Sequence, residues 1–519
     1  MRGSPIAANA ALNELRQRLA EVHDLRQAGM LLEWDQLVKM PPLGGPVRAH
    51  QLATLERVGH ERATDPAIGR LLDELRPLED SLDYESDDAS LIRVAGRDYE
   101  KARRVPAELA AELRLVSSEA QEAWAVARAD DDYATFRPWL DLNLELRRRY
   151  ADCVDPTDDP YDVLLDDFES GMRTAEVRTV FDRLKPELRE LAAEVSADEE
   201  PAFMHGPFDE AGQELLSHEV LRLFGLDRRA HRLDRTVHPF CSGIATGDIR
   251  VTTRFDEHNL HSLFSTMHEC GHGLYENGVS PSLERTPLGN GVSSALHESQ
   301  SRLWENVVGR SLPFWRGFYP QVVAAFPEAF GGVDVEDFYR GVNCVYKSLV
   351  RVDADEVHYG LHVIVRFELE QELVAGTVTT TELPEAWNAR YAELLGVEVP
   401  NDRLGVLQDV HWAFGGFGYF PTYQLGNVIA AQIWERVRAA LPDVDRQIEA
   451  GEFGALGGWL RENLYVLGRK FTPQETLARI VGGPIDPEPY LHYLRTKYGA
   501  GSPATVPVPD HDPSAATRR

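Results

Sequence analysis

Two histidines four residues apart, His268 and His272, with Glu269 beside the first, carry the strongest chemical signal in the chain. On a helix, residues four apart project from one face, so both imidazoles can hold one divalent ion. A carboxylate next to the first of them can take a proton from a water that the ion makes acidic, as that water attacks a carbonyl. The stretch 258–277 reads as the amphipathic helix this chemistry needs. Leu260, Leu263, Phe264, Met267, Leu274 and Tyr275 form its apolar stripe. Gly271 and Gly273 are poor helix formers, at a cost of about 1 kcal/mol each, but their small size allows close packing beside a metal. The competing explanation is a histidine pair on a solvated face, since H-E-x-x-H also arises by chance.

A catalytic ion needs a third protein ligand and one open position. The longer pattern with a third histidine requires Gly at 275 and His at 278; the chain has Tyr275 and Gly278, which excludes that class. A glutamate remains, and Glu276, Glu284, Glu298 and Glu305 are the candidates. Glu276 shares the first helix and extends the wrong way, and Glu284 lies in a proline-flanked loop. Glu298 lies in a helix candidate over 294–308, with Leu296, Leu303, Trp304 and Val307 on one face. Spacing favours Glu298, against an ordinary i,i+4 ion pair with Arg302.

The elements that must position these residues are mostly helical. Leu12, Leu15, Leu19 and Val22 recur at helical spacing, as do Leu109, Leu113 and Val116, and Phe181, Leu184 and Leu188. Pro106 suits the first turn of a helix running over 107–127. The stretch 241–255 breaks the pattern: Asp248 to Phe255 alternates, a strand or hairpin signal in a helical protein. Acidic, turn-rich stretches at 79–88 and 152–159 read as connections. They divide an N-terminal helical lobe, about 1–150, from a catalytic lobe, about 150–500, within one domain. The stretch 501–519, with Pro503, Pro507, Pro509 and Pro513, reads as a disordered tail.

The chain has 519 residues, 43% hydrophobic, and a formal net charge of −30. That is enough for a large core, and the charge argues against nucleic acid or an anionic membrane as partner. Lysine occurs only at Lys39, Lys101, Lys185, Lys347, Lys470 and Lys497; the other basic residues are arginine. Salt adaptation and a GC-rich genome both produce that balance. Cys153, Cys241, Cys270 and Cys344 are scattered, which is no disulfide framework. No run of 18 apolar residues exists, so no membrane span is expected, and the cytoplasm is the simplest compartment.

Taken together, several blocks resemble the M32 metallocarboxypeptidases, the carboxypeptidase Taq family. They are His238-Pro239-Phe240, the D-x-R-x-T run from Asp248 to Thr252, His268 to His272, His297-Glu298-Ser299-Gln300, Val350 to Asp355, and Gly405 to Trp412. Val350 stands where the family usually has Ile or Asn. The resemblance covers all but the C-terminal tail. It implies a mainly α, two-lobed gluzincin-type fold with a small β-hairpin or sheet next to a deep groove. It also implies a homodimer that takes peptide substrates and releases single C-terminal residues, with broad specificity and proline disfavoured. The implied metal is Zn²⁺, with Co²⁺ also supporting activity. His268, His272 and Glu298 would be ligands and Glu269 the general base. Arg351 would clamp the substrate's terminal carboxylate, a task that suits a guanidinium's bidentate geometry; otherwise it would pair with Asp353 or Asp355. Arg250 would line the substrate-limiting end of the groove, which His238, Gln408 and Asp409 also border. His411 and Tyr423, with Tyr419 as the alternative, would steady the tetrahedral intermediate. Asp409 or Asp355 would fix a ligand imidazole from behind. An oligopeptidase on the same architecture and a silent peptide binder are the competing functions.

Overall fold

A computed structural model describes residues 5–197, 200–499 and 501–504. Its helices include α1 (Pro5–Val38), α2 (His261–Gly278), α3 (Ser294–Arg302), α4 (Glu356–Ala375) and α5 (Phe420–Ala440). Periodicity located most of them. Leu12, Leu15, Leu19 and Val22 are buried on α1; Leu109 and Val116 are buried on the helix Ala107–Asp130, whose N-cap is Pro106. Phe181, Leu184 and Leu188 are buried on Thr174–Val195.

Helices α4 and α5 are apolar around most of their circumference, and such helices belong inside a core. Both are buried along most of their length. They belong to a main core that runs from Ala127 to Ala504. A second core joins α1 with the helices Pro66–Glu79 and Asp87–Arg104, and takes in Val279, Leu283 and Leu288 just beyond α2.

The alternating stretch forms the expected hairpin, β2 (Cys241–Ala245) antiparallel to β3 (Asp248–Thr253). A third strand, β1 (His231–Arg235), pairs parallel to β3 on its other edge and gives the order β1-β3-β2. Leu233 is its only apolar residue besides polar neighbours, so its sequence carried no strand signal. The helix expected over 294–308 is α-helical only to Arg302 and continues as a π-helix over Leu303–Gly309. Apolar spacing over so short a stretch does not separate the two windings.

Of the expected tail, 505–519 lies outside the described residues. Ala504 is buried, and the Ser502 hydroxyl donates to the Lys497 carbonyl at 2.6 Å. Among the described residues no helix is long and apolar enough to cross a membrane.

Candidate metal centre

Helix α2 presents His268 and His272 toward Glu298 of α3. The three elements meet at unusually short range because two glycines line the contact. A Cβ on Gly271 of α2 would stand 2.5 Å from the Gln300 carbonyl oxygen, and a Cβ on Gly426 of α5 would stand 2.5 Å from Glu298 Cγ. Glu298 therefore sits between two helices that only glycine lets so close. The close packing expected of Gly271 is against the α3 backbone, and Gly273 packs against Ile249 of β3.

Glu298 Oε2 lies 3.6 Å from His268 Nε2 and 3.5 Å from His272 Nε2. Ligands about 2.0–2.1 Å from a tetrahedral ion stand roughly 3.3 Å apart, so this donor set fits a divalent metal. It is also the cluster of ligating side chains that the described residues form. The other oxygen, Oε1, accepts from Arg302 Nε at 2.7 Å. The ion pair with Arg302 and the metal-facing geometry coexist on one carboxylate. Burial would raise the Glu298 pKa, but Arg302 and the two imidazoles outweigh it and hold the group ionised, well below the usual carboxylate range.

Each imidazole is fixed from behind. His268 Nδ1–H donates to Glu305 Oε2 at 2.9 Å. His272 Nδ1 meets His297 Nδ1 at 2.5 Å, and His297 Nε2 meets Glu276 Oε1 at 2.7 Å. With His272 Nε2 reserved as a lone pair for metal, its Nδ1–H donates to His297, and His297 passes the order on by donating to Glu276. Glu305 in turn accepts from Arg310 at 3.1 Å. Burial holds the His272 pKa down to about 3, so its ring is neutral, as a ligand must be.

The partners behind the imidazoles are thus Glu305 and His297–Glu276, and not Asp409 or Asp355. Asp409 is taken by Arg351 and Arg366. Asp355 caps α4 and holds His358 Nδ1. Glu276 stands four residues after His272 on the same helix face, a spacing that signals a role near that ligand. Nothing in the sequence brings Glu305 to His268 or His297 to His272.

Glu269 is 7% exposed, and no hydrogen bond from the described residues reaches its carboxylate. Burial raises its pKa to about 7; His268 opposes the shift, and Glu298 and Glu305 add to it.

A second network adjoins the first through Tyr359. Arg302 lies over the Tyr359 ring, 4.3 Å from its centroid, and Arg351 Nη1 donates to the Tyr359 hydroxyl at 3.2 Å. Arg351 is buried and pairs with neither Asp353 nor Asp355. Its Nε and Nη2 both donate to Asp409 Oδ1, at 3.1 and 2.9 Å. Arg366, fully buried, donates from Nε to Asp409 Oδ2 at 2.6 Å. Gln408 has no capacity left for a substrate. Its Oε1 accepts from the Arg351 N–H and from Arg366 Nη2, and its amide donates to the Leu349 and Leu404 carbonyls. It positions Arg351. His411 Nε2 faces the Tyr423 hydroxyl at 3.0 Å, and Tyr423 lies under the Arg351 guanidinium at 4.8 Å.

Two predicted residues stand outside these networks. Arg250 is paired with Asp248 of its own strand, and its guanidinium covers the Trp34 ring of α1 at 4.3 Å. His238 is exposed, with its pKa lowered first by partial burial and then by Arg254 and Arg128. A separate cleft of about 490 Å³ between the helices Pro66–Glu79 and Asp87–Arg104 contains none of the predicted site residues.

A helical scaffold that converges two imidazoles and a carboxylate beside a free buried glutamate defines a metal-dependent hydrolase. The model of the carboxypeptidase Taq (M32) metallopeptidases matches residues 14–498. Thermostable carboxypeptidase 1 of Thermus thermophilus is 40% identical over 95% of this chain and 99% of its own. Carboxypeptidase 1 of Bacillus subtilis is 34% identical over 92% and 96%. The M32 carboxypeptidase of Deinococcus radiodurans superposes with a TM-score of 0.90 at 40% identity, covering 94% of this chain and 99% of that one. Metallocarboxypeptidase 1 of Trypanosoma cruzi gives 0.89 at 31% identity over 94% and 99%. The chain belongs to the carboxypeptidase Taq (M32) family and is a metallocarboxypeptidase.

Proposed function

We propose that this enzyme uses Zn²⁺ to release single residues from the C-termini of peptides. His268, His272 and Glu298 hold the ion, with Co²⁺ as a working substitute, because nitrogen and carboxylate donors suit several divalent metals. The ion supplies Lewis acidity, which lowers a water's pKa and polarises the scissile carbonyl. Glu269 takes the attacking water's proton at its carboxylate and delivers it to the leaving amine. His411 and Tyr423 provide hydrogen-bond donors for the oxygen that becomes negative. The direct His411–Tyr423 contact favours Tyr423 over Tyr419 in that role.

The observation that carries the exopeptidase reading is the charge around Asp409. One carboxylate there answers two buried guanidiniums, Arg351 and Arg366. In direct ion pairs such a cluster is one anion short, and uncompensated buried charge is costly. A peptide's terminal carboxylate on Arg351 supplies the missing charge and sets the scissile bond at a fixed distance. Arg250 and His238, on and beside the small sheet, are assigned to the far end of the groove. Broad side-chain tolerance, disfavoured proline, a homodimer, a two-lobed single domain and a cytoplasmic setting rest on family likeness alone.

The test is hydrolysis of one N-blocked peptide, as free acid and as C-terminal amide, in high salt with Zn²⁺ or Co²⁺ and products followed by mass spectrometry. Stepwise loss of single residues from the acid only, absent in Glu269→Gln, is expected. Cleavage of both forms would replace the carboxypeptidase reading with an oligopeptidase.

A further inference from the structure

His411 Nδ1 is a buried polar atom without a hydrogen-bond partner. The residue is 9% exposed and its other ring nitrogen faces Tyr423. Asp409 Oδ1 stands 4.0 Å from Nδ1, about 1 Å too far for a hydrogen bond. What holds it off is Arg351, which spends both Nε and Nη2 on that same oxygen, while Arg366 holds Oδ2. A carboxylate doubly bound by one guanidinium beside an orphaned imidazole nitrogen has a second pairing within a short movement.

We propose that Asp409 is a positioning residue that exchanges partners on substrate binding: the peptide's terminal carboxylate takes over Arg351, and Asp409 Oδ1 turns to His411 Nδ1. The inference rests on the reading of Arg351 as the carboxylate clamp. A carboxylate at Nδ1 fixes the ring's orientation and favours its protonated form, in which Nε2 donates. In the substrate-free state the opposite holds. Burial and then Arg351 keep the His411 pKa near 3, with Asp409 opposing from a distance. Substrate binding neutralises Arg351 and brings Asp409 closer, and both changes favour a donating imidazole. The exchange makes the oxyanion donor depend on a free C-terminus. A peptide without a terminal carboxylate leaves Asp409 on Arg351 and His411 unsupported, even when its scissile carbonyl reaches the metal.

Two measurements test this. The first is a crystal structure of the metal-loaded wild-type enzyme soaked with free L-leucine, a product-type carboxylate. The expected result is the leucine carboxylate on Arg351 and Asp409 Oδ1 within about 3.2 Å of His411 Nδ1. A carboxylate on Arg351 with the 4.0 Å gap unchanged overturns the exchange and leaves the clamp standing. A carboxylate bound elsewhere overturns the clamp, and the exchange with it. The second is the kinetics of Asp409→Asn on a free-acid peptide. The exchange predicts that kcat falls about 10–100-fold while KM changes less than about 3-fold. A role limited to holding Arg351 in place predicts the reverse split, a raised KM with kcat retained, and that result also overturns the proposal.

Discussion

His272 and His297 meet through their Nδ1 atoms at 2.5 Å, and this contact makes the two metal-facing imidazoles unequal. His268 gives its Nδ1–H straight to a carboxylate, Glu305, whereas His272 reaches Glu276 only through a second ring. A neutral imidazole is a weaker acceptor than a carboxylate, so His272 gains less basicity from its partner. Partners behind a ligand are typically worth 10–100-fold in metal affinity. His297→Ala is expected to weaken Zn²⁺ or Co²⁺ binding by roughly that factor, and Glu305→Gln by at least as much. Chelator competition on the purified enzyme measures both. Wild-type affinity in His297→Ala would mean the ring contact orients nothing.

Glu269 differs from every other carboxylate of the centre: among the described residues no hydrogen-bond donor reaches it, although it is as deeply buried. Glu298 is held by Arg302 and the Ser301 hydroxyl, and Glu305 by Arg310 and the His268 imidazole. The role proposed for Glu269 needs a carboxylate left free in this way. Glu269→Gln keeps the volume and removes the base; it is expected to cut kcat by about 10²–10⁴-fold. Metal content by atomic emission is expected to stay at the wild-type ratio. Loss of metal in this variant would show that Glu269 supports the ligands rather than the chemistry.

The site was legible where function is written in local spacing. His268, Glu269 and His272 share one helix, and the i,i+4 rule places them without knowledge of the fold. Glu298 could be ranked above Glu276 and Glu284 because helical periodicity separates a helix from a loop. Glu305 was visible only as a rival ligand, since its contact with His268 depends on how the π-helix follows α3. The reading of Asp409 as a support for a ligand imidazole fails for a similar reason. Its partners Arg351 and Arg366 lie 58 and 43 residues away, and only packing brings them together. The hairpin was readable from alternation, but β1 was not, because a parallel partner of largely polar sequence has no local signature.

The glycines at the centre give a prediction about geometry. A Cβ at position 426 would collide with Glu298 Cγ itself, whereas one at 271 would press on the α3 backbone. Overpacking of this kind typically costs 1–3 kcal/mol. Both Gly426→Ala and Gly271→Ala are expected to be less stable than wild type by about that amount, and so to melt lower. Gly426→Ala should lose more metal affinity for the same loss of stability, because it displaces the ligand directly. Gly458→Ala is the control: nothing lies within 4 Å of its added Cβ, and helix propensity predicts a neutral or slightly stabilising effect. If all three variants melt alike, the close approach around Glu298 does not exist in solution.

The start of α3 links the metal centre to pH. Glu169 is buried, accepts from the Ala295 N–H at 3.0 Å and from the Ser293 hydroxyl at 2.9 Å, and so anchors the helix that carries Glu298. Burial raises its pKa from the ordinary 4.5 to about 7, against the pull of both hydrogen bonds. An acid whose folded pKa lies above its unfolded one binds its proton more tightly when folded. Relative to other groups, the folded state is favoured below about pH 4.5, loses that advantage as pH rises to about 7, and is level beyond. Glutamine can accept from Ala295 through its oxygen and donate to Ser293 through its amide, so Glu169→Gln keeps the anchor and removes the buried charge. The variant is therefore expected to be more stable than wild type at pH 8, by about 1–3 kcal/mol, with the difference vanishing near pH 4. Thermal unfolding of both proteins across that range measures it. A variant that melts lower at every pH would mean that the ionised carboxylate holds α3 better than an amide can, and that the hydrogen bonds outweigh the cost of burial.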